Sequence, residues 1–175
     1  ARQTAERLTV GAPGSGADIG PVISAQHWNA VQRHIECGIA EGATLVTGGL
    51  GLPPGLDLGY FVRPTIFSDV MPSMAIFREE IFGPVLCITA YDSVDHAIEL
   101  ANDSCYGLAA YLSAGQPGLA KSIASRLKAG QVTLNGAAPD FNAPFGGYKQ
   151  SGNGREWGEH GLLEYLETKA VLGAI

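Results

Sequence analysis

Clustered positive charge is missing from this 175-residue chain: 11 Lys and Arg stand against 17 Asp and Glu, a formal net charge of −6, and no run of Lys or Arg occurs. Phosphate backbones are bound by grouped cations, so nucleic acid is not an expected partner. Cysteine is scarce. Cys37, Cys87 and Cys105 are odd in number and show no C-x-x-C spacing. That argues against a disulfide framework and a zinc site, and it fits a reducing, cytoplasmic setting. His27, His34, His96 and His160 form no ligand spacing either. His27 and His34 fall seven apart on one predicted helix, too far to share an ion, and no metal is expected. No apolar run is long enough to span a bilayer and no leader pattern opens the chain, so no membrane partner is expected. The chain also opens without Met. Residues 1–8 read like the last two turns of a helix stopped by Gly11 and Pro13, which predicts a piece of a longer protein.

Glycine and apolar side chains are abundant. Gly fills 24 positions, about twice ordinary usage, and predicts many turns and short elements. Apolar residues make up 46% with a mean hydropathy of +0.11, enough for a packed core. The run from Gly11 to Pro21 is a loop: its glycines reverse the dinucleotide fingerprint and no strand precedes them. From Ser24 to Ala40, Trp28, Val31, Ile35 and Ile39 recur at three- and four-residue steps, an amphipathic helix with Ser24 as N-cap and Gly42 past its end.

Strands are predicted over 44–47, 61–67, 85–91, 109–112 and 131–135. The 85–91 run is nearly continuous in apolar residues and reads as central. Helices are predicted from Ser93 through Ala101, over 119–127 and over 156–164. Strand and helix alternate, which argues for an α/β unit with parallel pairing, right-handed crossovers and no interior domain boundary. Residues 165–172 alternate like a final strand whose open edge invites another chain.

Two segments look like neither core nor ordinary surface. Glu79-Glu80-Ile81-Phe82-Gly83-Pro84 sets adjacent carboxylates before an apolar pair and a Gly-Pro turn, and residues 144–156 pack four glycines among an exposed-type aromatic, Tyr148, and three charges. Together with Ile19-Gly20-Pro21, Glu41-Gly42-Ala43, Gly48-Gly49, Gly59-Tyr60-Phe61-Val62-Arg63-Pro64-Thr65, Tyr106-Gly107-Leu108-Ala109-Ala110 and Asn135, they occur in an order and spacing that resembles the C-terminal part of the aldehyde dehydrogenase superfamily, along nearly the whole chain.

The resemblance implies an α/β fold in which residues 1–163 are the C-terminal part of a catalytic domain, with a mainly parallel sheet flanked by helices, and residues 164–175 are an oligomerisation strand. It implies oxidation of an aldehyde to a carboxylic acid with NAD or NADP, through a Cys thiohemiacetal and thioester. The family's nucleophile, catalytic Glu and cofactor domain lie upstream of these residues, so the resemblance assigns no catalytic residue here and predicts that this chain alone is inactive. Glu80 matches the carboxylate that accepts hydrogen bonds from the nicotinamide ribose, a role that suits an ionised group facing a vicinal diol. Phe82 matches the aromatic beside the nicotinamide ring. Phe145 matches an aromatic of the aldehyde tunnel. Phe141, where the chain is about one residue shorter than common members, aligns as a second tunnel residue. Arg155 pairs with Glu156 or across a subunit interface, and Glu167 and Lys169 lie in the region used to form dimers or tetramers. Cys37 and Cys87 read as small buried hydrophobes. The rival reading is a non-catalytic α/β assembly module that docks through its terminal strand.

Overall fold

The computed structural model describes residues 1–173. The chain resolves into two compact units, Ala1–Ala90 and Tyr91–Ile175, where the sequence shows no boundary. Nothing at the junction resembles a linker: Ala90-Tyr91-Asp92 carries neither Gly nor Pro, and Ser93 serves at once as a helix cap.

In the first unit, the short helix α1 (Arg2–Ala5) leads through a loop tied by Thr9 and Asp18 into α2 (Ala25–Ala40). Ser24 caps α2 as its sequence predicts, its hydroxyl accepting from the His27 amide at 3.2 Å. Ser24→Ala is expected to lower the stability of this unit by about 1 kcal/mol, read as a fall in denaturant midpoint with an unchanged slope. The apolar face of α2 supplies Val31 and Ile35, which are fully buried with Phe67, Val62, Val70 and Ile76.

Those residues pack against a three-stranded sheet in the order β1 (Thr44–Thr47), β2 (Thr65–Ser68), β3 (Val85–Cys87). β1 and β2 pair antiparallel, with an irregularity between Leu45 and Thr47, whereas β2 and β3 are parallel. Two of the predicted strands are therefore shorter than their apolar runs. Pro64 donates no hydrogen bond and biases the residue before it, so the ladder of β2 begins only at Thr65. The stretch before it is held otherwise: the Trp28 indole donates to the Phe61 carbonyl at 2.8 Å and the Val22 amide to that of Tyr60 at 2.9 Å. β2, not the 85–91 run, is the central strand. β3 lies at the edge of this sheet with Leu86 half exposed, and beyond Cys87 the chain bonds to Val70 instead of extending the ladder.

The second unit begins with α4 (Val94–Asn102), following α3 (Ala75–Arg78) of the first. Ser93 caps α4 through the His96 amide. β4 (Ala109–Leu112) and β5 (Gln131–Leu134) pair parallel across α5 (Pro117–Ala124), a strand–helix–strand unit with Pro in the first helical turn. Ile98 and Ala120 are its buried apolar side chains. Among the described residues two of the three strand pairings are thus parallel, and helices flank both small sheets. After the glycine loop come a 3₁₀ turn at Lys149–Ser151 and α6 (Gly158–Leu163). Residues 165–172 carry the alternating pattern but no strand pairing among the described residues, and Val171 and Leu172 are exposed. A strand exists through its ladder, and no neighbouring strand among the described residues supplies one there.

Candidate functional site

The Glu-Glu-Ile-Phe-Gly-Pro segment forms the turn that joins α3 to β3. Helix α3 ends at Glu79, whose backbone is extended, and its amide still bonds to the Ala75 carbonyl at 2.8 Å. From there the side chains alternate. Ile81 packs against the buried cluster, while Glu80 and Phe82 face outward on either side of it. Phe82 is 73% exposed, and its φ of 56° lies in the left-handed region, costly for a bulky L residue. The Glu80 carboxylate takes no hydrogen bond or ion pair among the described residues, so both oxygens are open to a ligand. Glu79, to which the sequence assigns no chemistry, is occupied by His34 at 3.1 Å.

In the second unit the glycine loop is stitched shut at its base. Phe145 and Glu156 exchange backbone hydrogen bonds of 2.8 and 2.7 Å. Inside the loop, the Arg155 guanidinium lies over the Tyr148 ring and donates to the carbonyls of Gly147, Asn153 and Gly154. Its placement is that of a loop brace; it forms no ion pair with Glu156. The loop folds down onto the entrances of β4 and β5. The Tyr148 amide bonds to Gly107, the Gln150 amide to Cys105, and the Ser151 hydroxyl accepts from the Gly107 amide. The Lys149 ammonium reaches the Asn102 and Ser104 carbonyls at the C-terminal end of α4, where a cation opposes the helix dipole.

Phe141 and Phe145 meet on a residue that sequence reasoning passed over. Trp157 stacks on Phe145 and takes Phe141 edge-on, both at 4.8 Å between ring centroids. The signal was there: one of only two tryptophans, immediately after the glycine loop. Phe145 is half-buried and Phe141 exposed, so the three rings form a wall with one open flank. Phe145 also borders a cavity of about 350 Å³ shared with Leu108, the loop glycines and Tyr165. Asn135 has a structural task, its amide bonding both backbone groups of Ala114 and so joining the ends of β4 and β5.

The predicted residues therefore form two pairs: Glu80 with Phe82 on one turn of the first unit, Phe141 with Phe145 around Trp157 in the second. Glu167 and Lys169 lie exposed beyond α6, without a partner among the described residues. Burial pushes the thiols of Cys37 and Cys87 up, the wrong direction for a nucleophile. No group of three metal-ligating side chains occurs among the described residues.

Parallel strand pairs with crossover helices define an α/β protein, which carries an outward carboxylate on a strained aromatic turn in its first unit and an aromatic wall on a braced glycine loop in its second. The sequence profile of the aldehyde dehydrogenase family matches residues 1–171, and the chain belongs to that family. It is 57% identical over 169 residues to a 3-succinoylsemialdehyde-pyridine dehydrogenase of Pseudomonas sp, covering 96% of this chain and 35% of that protein. Among solved structures, a mutant of aldehyde dehydrogenase C from Pseudomonas syringae, in complex with NAD+ and octanal, matches with a TM-score of 0.93 and 53% identity, over 97% of this chain and 35% of that one. The aldehyde dehydrogenase of Mycobacterium tuberculosis complexed with NAD+ matches at 0.89 and 45%, over 93% and 34%. The chain thus spans about a third of the length of the relatives it matches.

Proposed function

We propose that this chain is the C-terminal portion of an NAD- or NADP-dependent dehydrogenase that oxidises an aldehyde to a carboxylic acid, with its nucleophile and the main cofactor site outside these residues. One observation carries the reading: Glu80 presents an unpartnered carboxylate next to an outward aromatic ring on a turn fixed to the core. That arrangement fits a nicotinamide riboside. A carboxylate accepts both hydroxyl donors of a ribose diol, and an exposed ring offers an apolar face to the base. The cofactor would supply the hydride acceptor.

The work left to this chain is placement. Glu80 orients the ribose and Phe82 limits where the ring lies. The wall of Phe145, Phe141 and Trp157 supports an aldehyde with an apolar body, in keeping with the octanal held by the Pseudomonas syringae relative. Three free thiols accord with a cytoplasmic protein. The unpaired terminal segment, with Glu167, Lys169 and exposed Leu172, would form its strand against a second subunit in a dimer or tetramer, with Arg155 bracing the neighbouring loop.

The reading is tested by comparing the 175-residue chain with the full-length protein. The chain alone is expected to form no NADH or NADPH from a medium-chain aldehyde, while the full-length protein turns over. Turnover by the chain alone would place a nucleophile among Cys37, Cys87 and Cys105 and overturn the assignment. A full-length protein that binds neither nucleotide would favour a non-catalytic assembly role.

A further inference from the structure

We propose that one face of α2 is a template for the 79–83 turn, and that His27 is a positioning residue for Glu80 and Phe82. The proposal rests on the reading of Glu80 as a ribose anchor, but its structural half can be judged without it.

His27, Val31 and His34 stand at i, i+4 and i+7, which puts them along one face of a helix. Each meets a different part of the turn. At one end, the His34 Nε2 lies 3.1 Å from the Glu79 carboxylate and Nδ1 lies 2.9 Å from the Ala30 carbonyl. Both ring nitrogens thus face acceptors, which ties the ring to its own helix and to the turn at once. In the middle, Val31 is fully buried and presses on Gly83. A Cβ built at Gly83 would lie 2.8 Å from the Val31 Cγ2, so only glycine lets the turn sit this low on the helix. At the other end, the His27 Nε2 donates to the Phe82 carbonyl at 2.6 Å, and the His27 and Phe82 rings lie 5.9 Å apart.

The turn needs such support. Phe82 holds a φ of 56°, a conformation unfavourable for a bulky L residue that persists only where the surroundings determine it. Between the two histidine contacts lie only Glu80 and Ile81. Ile81 is committed to the core, so the direction of the Glu80 side chain follows from where α2 holds the residues on either side. His27 is itself fixed, because its amide donates to the capping hydroxyl of Ser24. A helix that contributes no residue to the site thereby sets the site's geometry. The seven-residue spacing of the two histidines matches the two ends of the turn.

The test uses His27→Ala and His27→Gln in the full-length protein, with two readouts. Amide hydrogen exchange over residues 80–83 is expected to quicken roughly two- to tenfold in His27→Ala, the scale of one hydrogen bond. The Kd for NAD+ by calorimetry is expected to rise by a similar factor, with the aldehyde KM unchanged. His27→Gln, whose amide still donates, should restore most of both. Unchanged exchange in His27→Ala, or a Gln variant no better than Ala, overturns the template. Should His27→Ala fold poorly, His34→Ala, which removes the contact with Glu79, applies the same exchange criterion at residues 79–81. Glu80→Gln separates the layers: if it leaves NAD+ affinity intact the ribose assignment falls, whereas the exchange result still decides whether α2 shapes the turn.

Discussion

Glu80→Gln in the full-length protein is expected to lower kcat/KM for the nicotinamide cofactor by roughly ten- to a hundredfold, with the larger share in the hydride-transfer rate. On the proposed ribose role, two hydrogen bonds to a charged acceptor are at stake, each contributing about 1.5–3 kcal/mol. Gln keeps one neutral carbonyl acceptor and replaces the other oxygen with a donor that must face a hydroxyl, so about half the interaction survives. The scaffold should not suffer. Glu80 is exposed and holds nothing else among the described residues, so its substitution removes no contact on which the fold depends. Loss of function with an unaltered melting temperature is therefore the expected signature. Single-turnover measurement of NADH formation, beside calorimetric binding of NAD+, separates placement from affinity. A hydride-transfer rate within twofold of the parent protein would remove Glu80 from the site. Glu79→Gln makes the comparison sharper: it weakens the His34 contact to a neutral hydrogen bond and acts only by loosening the turn, so its effect should be several times smaller.

The parts of this fold that were legible in sequence are those decided by neighbours a few residues away. Ser24 and Ser93 announce α2 and α4 because a cap hydroxyl needs only the amide three residues on. The three- and four-residue apolar spacing of α2 gave its buried face, and the glycine loop announced itself by composition. What stayed hidden depends on partners far along the chain. The 85–91 run is apolar enough for a central strand, yet whether it is flanked depends on which segments reach its two sides, and among the described residues β2 alone does. Residues 165–172 alternate correctly and still form no strand, for want of a ladder. Trp157 joins Phe141 and Phe145 only because the chain reverses between 145 and 156 and brings its ring back to theirs. Glu80, Phe82, Phe141 and Phe145 were found through family resemblance, since an exposed Glu or Phe carries no mark of its own in composition or periodicity. His27 and His34 were read as a failed metal pair because spacing along a helix says nothing of a turn some fifty residues downstream.

Gly130→Ala is expected to be the most damaging small substitution in the second unit. Gly130 stands at the start of β5, its amide bonded to the Gly107 carbonyl at 3.0 Å, and the glycine loop crosses directly over it. A Cβ placed there would come within 1.6 Å of the Gly146 carbonyl oxygen, 2.7 Å of its carbon and 3.2 Å of the Gly147 Cα. These obstacles are backbone, so no rotamer change relieves the clash, and either the loop lifts or β5 shifts. Lifting the loop strains the bonds of Tyr148 and Gln150 to the β4 entrance, the Arg155 brace and the Phe145–Glu156 bridge together. Losses of that kind sum to about 3 kcal/mol or more, a fall in Tm of roughly 6–12 °C for a chain of this size. Gly20→Ala is the matched control. A Cβ there meets nothing within 4 Å, and its melting temperature should move by no more than about 1–2 °C. The damage should also reach the site: because Phe145 is the first residue of the loop's closing bridge, a lifted loop misplaces its ring against Trp157, and in the full-length protein carrying the same substitution aldehyde KM should rise more than cofactor affinity falls. Differential scanning calorimetry of the two variants beside the parent decides the packing argument. A Gly130→Ala protein melting within 2 °C of the parent would mean that the loop does not lie on β5 as described.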